Sequence, residues 1–216
     1  MGNPWLYGIE STSSQIAWRP GSVGPATPHA TMANPSKRFD LLTPRFGVLC
    51  AFVLLAALSR LLPHPPNVAP IAAMALFGGA HFERKAWAFA VPLAALFLSD
   101  ALLGFHSLMP LIYGAFAAIV GIGFLLRRRR RPLQIAGATL AGSVLFFVVT
   151  NLGVWMLGSL YPKTLAGLAT CYIAAIPFFG NTLLGDAFFT AVLFGGFGLA
   201  QRRLPSLRRV AYRRTL

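Results

Sequence analysis

The chain has 216 residues, of which 56% are hydrophobic and only 11% charged, and its mean hydropathy is +0.65. A soluble domain carries about a quarter charged residues, so this composition excludes an ordinary soluble fold and points to an integral membrane protein. The net charge of +14 would suit a nucleic-acid binder, but the basic residues sit in short connectors without interleaved aromatics, and no nucleic-acid partner is expected.

Residues 1–40 are rich in Ser, Pro and Gly and hold no apolar run long enough for a signal sequence, so they read as a disordered extension. Met32 opens Met-Ala-Asn-Pro-Ser-Lys-Arg and offers an alternative start, which would make 1–31 an over-long gene prediction. Residues 41–203 read as the transmembrane domain and 204–216 as a basic tail.

The first apolar run, 46–62, is about 17 residues, near the lower limit for crossing a core of about 30 Å. Pro63-His64-Pro65-Pro66-Asn67 ends it, because adjacent prolines remove donors and disfavour helical geometry before them. Run 68–82 is short and dense in Ala and Gly, which predicts a helix packed inside a bundle rather than one facing lipid. Run 86–103 follows Glu83-Arg84-Lys85 and carries Asp100 near its end. Run 109–126 leads into five consecutive arginines, Arg127 to Arg131, and 133–157 leaves them. Each arginine costs roughly 2.5–3.5 kcal/mol at a helix centre in a bilayer, so the run lies in water and the flanking stretches form a membrane hairpin. The remaining apolar runs are 165–178, about 14 residues, and 181–200, which ends in Gln201-Arg202-Arg203.

If 46–62, 68–82, 86–103, 109–126, 133–157 and 181–200 all span, sixteen of the nineteen basic residues fall on one side and Arg60 and Lys163 on the other, with Arg19 in the remote N-terminal stretch. The positive-inside rule makes the first side cytoplasmic, with both termini inside. The expected fold class is therefore an all-α membrane protein, a compact bundle of about six transmembrane helices in a bacterial inner membrane. Run 165–178 cannot be a seventh span without exporting the basic tail, so it is expected to be a separate short helix at the outer face, interfacial or re-entrant. Cys50 and Cys171 fall on opposite sides, and no disulfide between them is expected.

Asp100 and Asp186 are the acids that lie in apolar runs, and buried carboxylates in a membrane are default functional candidates. On this topology Asp100, Asn151, Asn181 and Asp186 all fall in the outer half of the bilayer. With His64, Asn67, His106, Trp155 and Lys163 they describe a polar-floored basin opening outward, suited to a small-molecule substrate. Structural alternatives stand beside each. Asp100 could sit at the headgroups or bond backbone amides, and Asp186 could pair with an interhelical hydroxyl. Asn151 and Asn181 could join helices, and Trp155 could belong to an aromatic belt. His64 and His106 are potential ligands for a metal or cobalt centre but lack fixed spacing, so no metal and no cofactor is assigned. No G-x-x-x-x-G-K-[ST], Gly-x-Gly-Asp or Gly-x-Ser-x-Gly is present, and the reading is not an enzyme. An ion-coupled permease using Asp100 and Asp186, or a non-transporting scaffold, are the other classes that fit.

The segments Leu61-Leu62-Pro63-His64-Pro65-Pro66-Asn67-Val68-Ala69-Pro70-Ile71, Ser99-Asp100, Asn151-Leu152-Gly153-Val154-Trp155, Tyr161-Pro162-Lys163-Thr164 and Ile176-Pro177-Phe178-Phe179-Gly180-Asn181-Thr182 carry a resemblance. Over about 46–200 the chain resembles an uncharacterised bacterial membrane family related to the substrate-binding S component of energy-coupling-factor vitamin transporters. The resemblance implies capture of a vitamin-like solute at the outer face and delivery through a separate transmembrane coupling protein and ATPases. Many S components dock through Ala-x-x-x-Ala in the first span; here the nearest match is Gly47-x-x-x-Ala51, which leaves a solitary mode open.

Overall fold

A computed structural model describes residues 43–208. The expectations for residues 1–40 and for the tail beyond residue 208 fall outside the described residues. Every regular element among them is helical: α1 (Pro44–Ser59), α2 (Ile71–His81), α3 (Lys85–Leu103), α4 (Met109–Leu125), α5 (Pro132–Leu157), α6 (Leu165–Thr190) and α7 (Gly196–Arg203). A π turn, Ala191–Gly195, joins α6 to α7, and a 3-10 turn, Pro205–Leu207, follows. Local chemistry sets the starts. Pro44, Pro110 and Pro132 occupy first-turn positions, where a missing N–H costs nothing. The Thr43 and Thr164 side chains accept from the Phe46 and Gly167 amides.

The protein is a membrane protein. Helices α3 and α5, and the unbroken helical stretch Leu165–Arg203, are each long and apolar enough to cross a bilayer, while α1, α2 and α4 are shorter apolar helices. Along α5, Leu133, Leu140, Val144 and Val148 are exposed, a face that water would not tolerate at this density and that lipid solvates.

Helix α2 is the centre of the packing. Ten of its eleven residues are buried, as its Ala- and Gly-rich sequence predicts. Adjacent glycines serve different neighbours. A Cβ on Gly78 would collide with the ring of Pro92 in α3, and Gly79 meets Gly123 of α4 so closely that a Cβ on Gly123 would lie 2.6 Å from the Leu76 carbonyl oxygen. Backbone-to-backbone approach of this kind replaces the hydrophobic drive that lipid cannot supply.

The basic connectors meet at one end of the bundle, the arginine end, and cap α2 there. Arg127 donates to the carbonyls of Gly79 (2.9 Å) and Phe82 (2.9 Å), Arg130 to Ala80 (2.7 Å), and Arg45 to His81 (3.2 Å) and Leu207 (2.8 Å). The last carbonyls of a buried helix have no intrahelical partners and carry its negative dipole end, so three guanidinium groups there satisfy both needs. His81 is enclosed by the rings of Phe77, Phe194 and Phe197.

One expectation is corrected. Run 165–178 is not a separate short helix: it continues through Pro177 and Gly180 as part of α6. Pro177 removes one backbone donor, but α6 is held against α5 on both sides of it. Tyr172 donates to the Val148 carbonyl (2.7 Å) before the proline, and Phe179 packs on the Phe147 ring (4.7 Å) after it. In a bundle such contacts outweigh the roughly 3 kcal/mol preference against an interior proline. Helices α5 and α6 therefore form one antiparallel hairpin from Cys171–Asn151 through Asp186–Ser143 to Thr190–Thr139. Cys50 and Cys171 are both free thiols.

Candidate functional site

The eleven residues of α2 rise about 16 Å, roughly half of a 30 Å hydrocarbon core. Its neighbours are longer. The proline loop leads into its first turn, and the space between α2, α4, α5 and α6 is a cavity of about 420 Å³. It lies away from the arginine end. The walls are Phe146, Phe147, Phe178, Ile112, Leu108 and Val154, with Asn67, Thr150, Asn151 and Thr182 among them and Asp186 at the base.

Asp186 is 2% exposed. Its carboxylate accepts from Ser143 Oγ at 2.6 Å and from the backbone amides of Ala72 and Ala73. Those amides belong to the first turn of α2, which no side chain of its own caps because Pro70 stands at the N-cap. Asp186 thus supplies across the interface what an N-cap residue supplies locally, and it opposes the positive end of the helix dipole. Gly185 makes this reach feasible: a Cβ there would lie 3.0 Å from Val68 Cα and 3.2 Å from the Ala69 amide, pushing α6 off the start of α2. The loop before α2 is fixed from both sides. Asn67 adopts φ +65°, a left-handed conformation that Asn tolerates, and Asn181 donates to the Pro66 carbonyl at 3.1 Å.

The predicted residues therefore separate into groups. Asn67, Asn151 and Asp186 come together around the cavity, and Asn181 secures its covering loop. Asp186 also has the interhelical hydroxyl that the structural alternative required, in Ser143. Asp100 lies elsewhere, in an ion pair with Arg60 at 2.7 Å, and Tyr113 donates to its second oxygen at 3.0 Å. Arg60 also contacts Ser99 Oγ. This cluster staples α1, α3 and α4 together. Trp155 and Lys163 close the α5–α6 turn: Trp155 Nε1 donates to the Pro162 carbonyl at 2.9 Å, and Lys163 donates to the carbonyls of Trp155 and Gly158 at the end of α5. His64 is exposed and bonds the Leu62 carbonyl, and His106 is exposed in the α3–α4 turn. Among the described residues no three His, Cys, Asp or Glu side chains gather as a metal site would need.

Sequence reasoning missed Ser143 and Thr150 on α5 and Thr182 on α6. A signal existed on α5, where Thr139, Ser143 and Thr150 recur on one helical face turned away from Leu140, Val144 and Val148. A polar stripe inside an apolar helix marks the side turned to protein.

The site can hold a compact solute with an apolar or aromatic body against the phenylalanines and hydrogen-bonding groups toward Asn67, Thr150 and Asn151. No arginine, lysine or histidine lines it, so it offers an anionic ligand no cationic partner. No curated protein and no solved structure matches the chain. Residues 41–207 match the family described as "Family of unknown function (DUF6580)", and since that is most of the chain, the protein belongs to this family.

Proposed function

We propose that the protein is a membrane substrate-binding subunit that captures a vitamin-like small solute in the cavity above α2 and hands it across the bilayer. In this reading all six helical traversals span a bacterial inner membrane. The arginine end and both termini face the cytoplasm, and the cavity opens outward. The observation that carries the reading is the cavity itself: about 420 Å³ of space ending near the mid-depth of the bundle, with Asp186, Asn151 and Asn67 on its surface. A pocket of this size with apolar walls and a few converging polar groups is the usual form of a small-molecule site. The distribution of basic residues supports the orientation. A separate coupling protein and its ATPases would supply the energy. Gly47 and Ala51, the nearest match to the docking motif, are exposed together on α1, as a helix-docking face requires.

Thermal unfolding of the purified protein against vitamins, corrinoids and other small heterocycles tests this. A specific compound should raise the melting temperature, since a ligand that binds only the folded state stabilises by RT ln(1 + [L]/Kd). The shift should shrink in Asp186→Asn and Thr150→Val. A folded protein that no compound stabilises would overturn the proposal.

Asp186 also supports a second reading, an ion-coupled permease in which this buried carboxylate carries the coupling ion. There Asp186→Asn would abolish gradient-driven uptake into proteoliposomes while leaving solute binding in place. Asp100, held by Arg60, has no role in that version.

A further inference from the structure

A second built site lies at the arginine end, between the first half of α5 and the α6–α7 stretch. An apolar groove of about 830 Å³ runs along Ile135, Leu140, Leu183 and Phe194, and its mouth is flanked by Arg130 and Arg202. Opening beside it is a polar hollow of about 490 Å³ bounded by Arg130, Arg202 and Arg208 together with Gly198 and Gln201. The two spaces share Arg130, Gly198 and Arg202. Among the described residues that line them, none is acidic. Three guanidinium groups at the head of an apolar channel form an amphipathic cradle. Arg130 keeps one nitrogen on the Ala80 carbonyl at 2.7 Å and Arg208 donates to the Gln201 carbonyl at 3.1 Å, so both heads are positioned by the fold rather than left in solution.

The groove has a cause in the sequence. Ala136, Ala187, Ala191, Gly195 and Gly198 withdraw side-chain bulk from the two facing helices. A Cβ at Gly195 or Gly198 would meet nothing within 4 Å. The π turn Ala191–Gly195 lies on the same wall. Among the described residues the groove's hydroxyls are Thr139 and Thr190, which lie in contact with each other at 3.3 Å, so the channel is mostly apolar. From Leu183 to Arg202 the helix rises about 28 Å, more than the roughly 15 Å depth of one hydrocarbon leaflet.

We propose that this groove is a binding site for an anionic phospholipid of the surrounding leaflet, with the phosphate-bearing headgroup held by Arg130, Arg202 and Arg208 and one acyl chain laid along the α5–α6 channel. The charge of the hollow selects the headgroup. The length and dryness of the channel select an acyl chain over a soluble anion. The occupant is a lipid rather than a partner helix because a cluster of like charges at the mouth attracts a phosphate and repels the basic residues that flank transmembrane helices on this side. The site is independent of the outer cavity and stands whether or not that cavity binds a solute.

Native mass spectrometry of the whole protein, with titrated phosphatidylglycerol or phosphatidylcholine, tests the proposal and reads oligomeric state in the same spectra. Phosphatidylglycerol should be retained in preference to phosphatidylcholine. Arg202→Gln should weaken that retention roughly fivefold, the loss expected for one basic residue at an anionic headgroup. Gly198→Leu places its Cβ in open space and should abolish retention without lowering the melting temperature of lipid-free protein. Glycerol 1-phosphate, the headgroup without chains, should not compete. Equal retention of the two lipids, or a preference unchanged in both variants, would overturn the proposal. So would full competition by glycerol 1-phosphate, or a dimer abolished by Gly198→Leu, which would seat a second copy in the groove.

Discussion

Asp100 and Asp186 are the same residue in the same kind of surroundings, 3% and 2% exposed within apolar helices, yet they are satisfied by opposite means. Asp100 is matched by a full positive charge on Arg60 and by the Tyr113 hydroxyl, and it lines no part of the cavity above α2. Among the described residues Asp186 is matched by neutral donors, one hydroxyl and two helix amides, and it borders the cavity. A buried carboxylate in a membrane helix is therefore not one kind of signal. A charge-paired acid joins helices. An acid held by dipoles caps a helix across an interface, and in the proposed reading it also faces the solute.

The largest effect separates the two directly. Asp100→Ala strands the Arg60 guanidinium in a site where its side chain is 12% exposed, and loss of one partner of a buried pair costs about 3–5 kcal/mol. Its melting temperature in detergent should fall steeply. The double variant Arg60→Met/Asp100→Leu should recover most of that loss, because removing both charges also removes their desolvation. Failure of the double variant to recover would mean that Asp100 does more than pair with Arg60.

Asp186→Ala should cost less stability, about 1–2 kcal/mol, the range for removing a helix N-cap. Its effect on solute-induced stabilisation should be near-complete, whereas Asp100→Asn should leave that stabilisation intact wherever the protein folds. Equal loss of the ligand shift in the two variants would erase the distinction drawn between them. A smaller change sharpens the same line. Thr150→Val keeps shape and removes a hydroxyl whose other bond, at 2.8 Å, goes to the Phe146 carbonyl of its own helix. Stability should move by less than about 1 kcal/mol, and solute affinity should fall roughly tenfold if that hydroxyl meets the ligand.

The membrane class and the helices were legible because they follow from runs and counts. The small residues of α2 foretold its burial, and the arginine run foretold a polar turn between α4 and α5. What those arginines do was not legible: that Arg127, Arg130 and Arg45 converge on the carbonyl end of α2 depends on packing between segments far apart in sequence. The same holds for the site. Asp186 and Asn151 were visible as polar residues in apolar context, and Asn67 as part of the proline loop. The Arg60–Asp100 pair was not, although both residues lay on the same side of the expected topology, because charge counting assigns sides and not partners. Proline punctuation misled at Pro177, where the loss of one backbone bond is local and the contacts holding α6 continuous against α5 are not.

The exposed histidines give the smallest expected effect and the other limit of the comparison. His64 and His106 lie in the same half of the molecule as the cavity but outside its lining, and neither is buried. Among the described residues His64 bonds the Leu62 carbonyl two residues back at 2.7 Å, a contact that shapes the turn after α1. Replacing either with alanine should shift stability by no more than about 0.5 kcal/mol, the usual range for surface positions. The solute-dependent shift should stay at its wild-type value. Added zinc or cobalt should then leave the melting temperature of wild-type protein unchanged as well. A metal-dependent rise lost in both variants would show instead that the two turns close over the cavity around a shared ion, and the mouth of the site would have to be redrawn to include them.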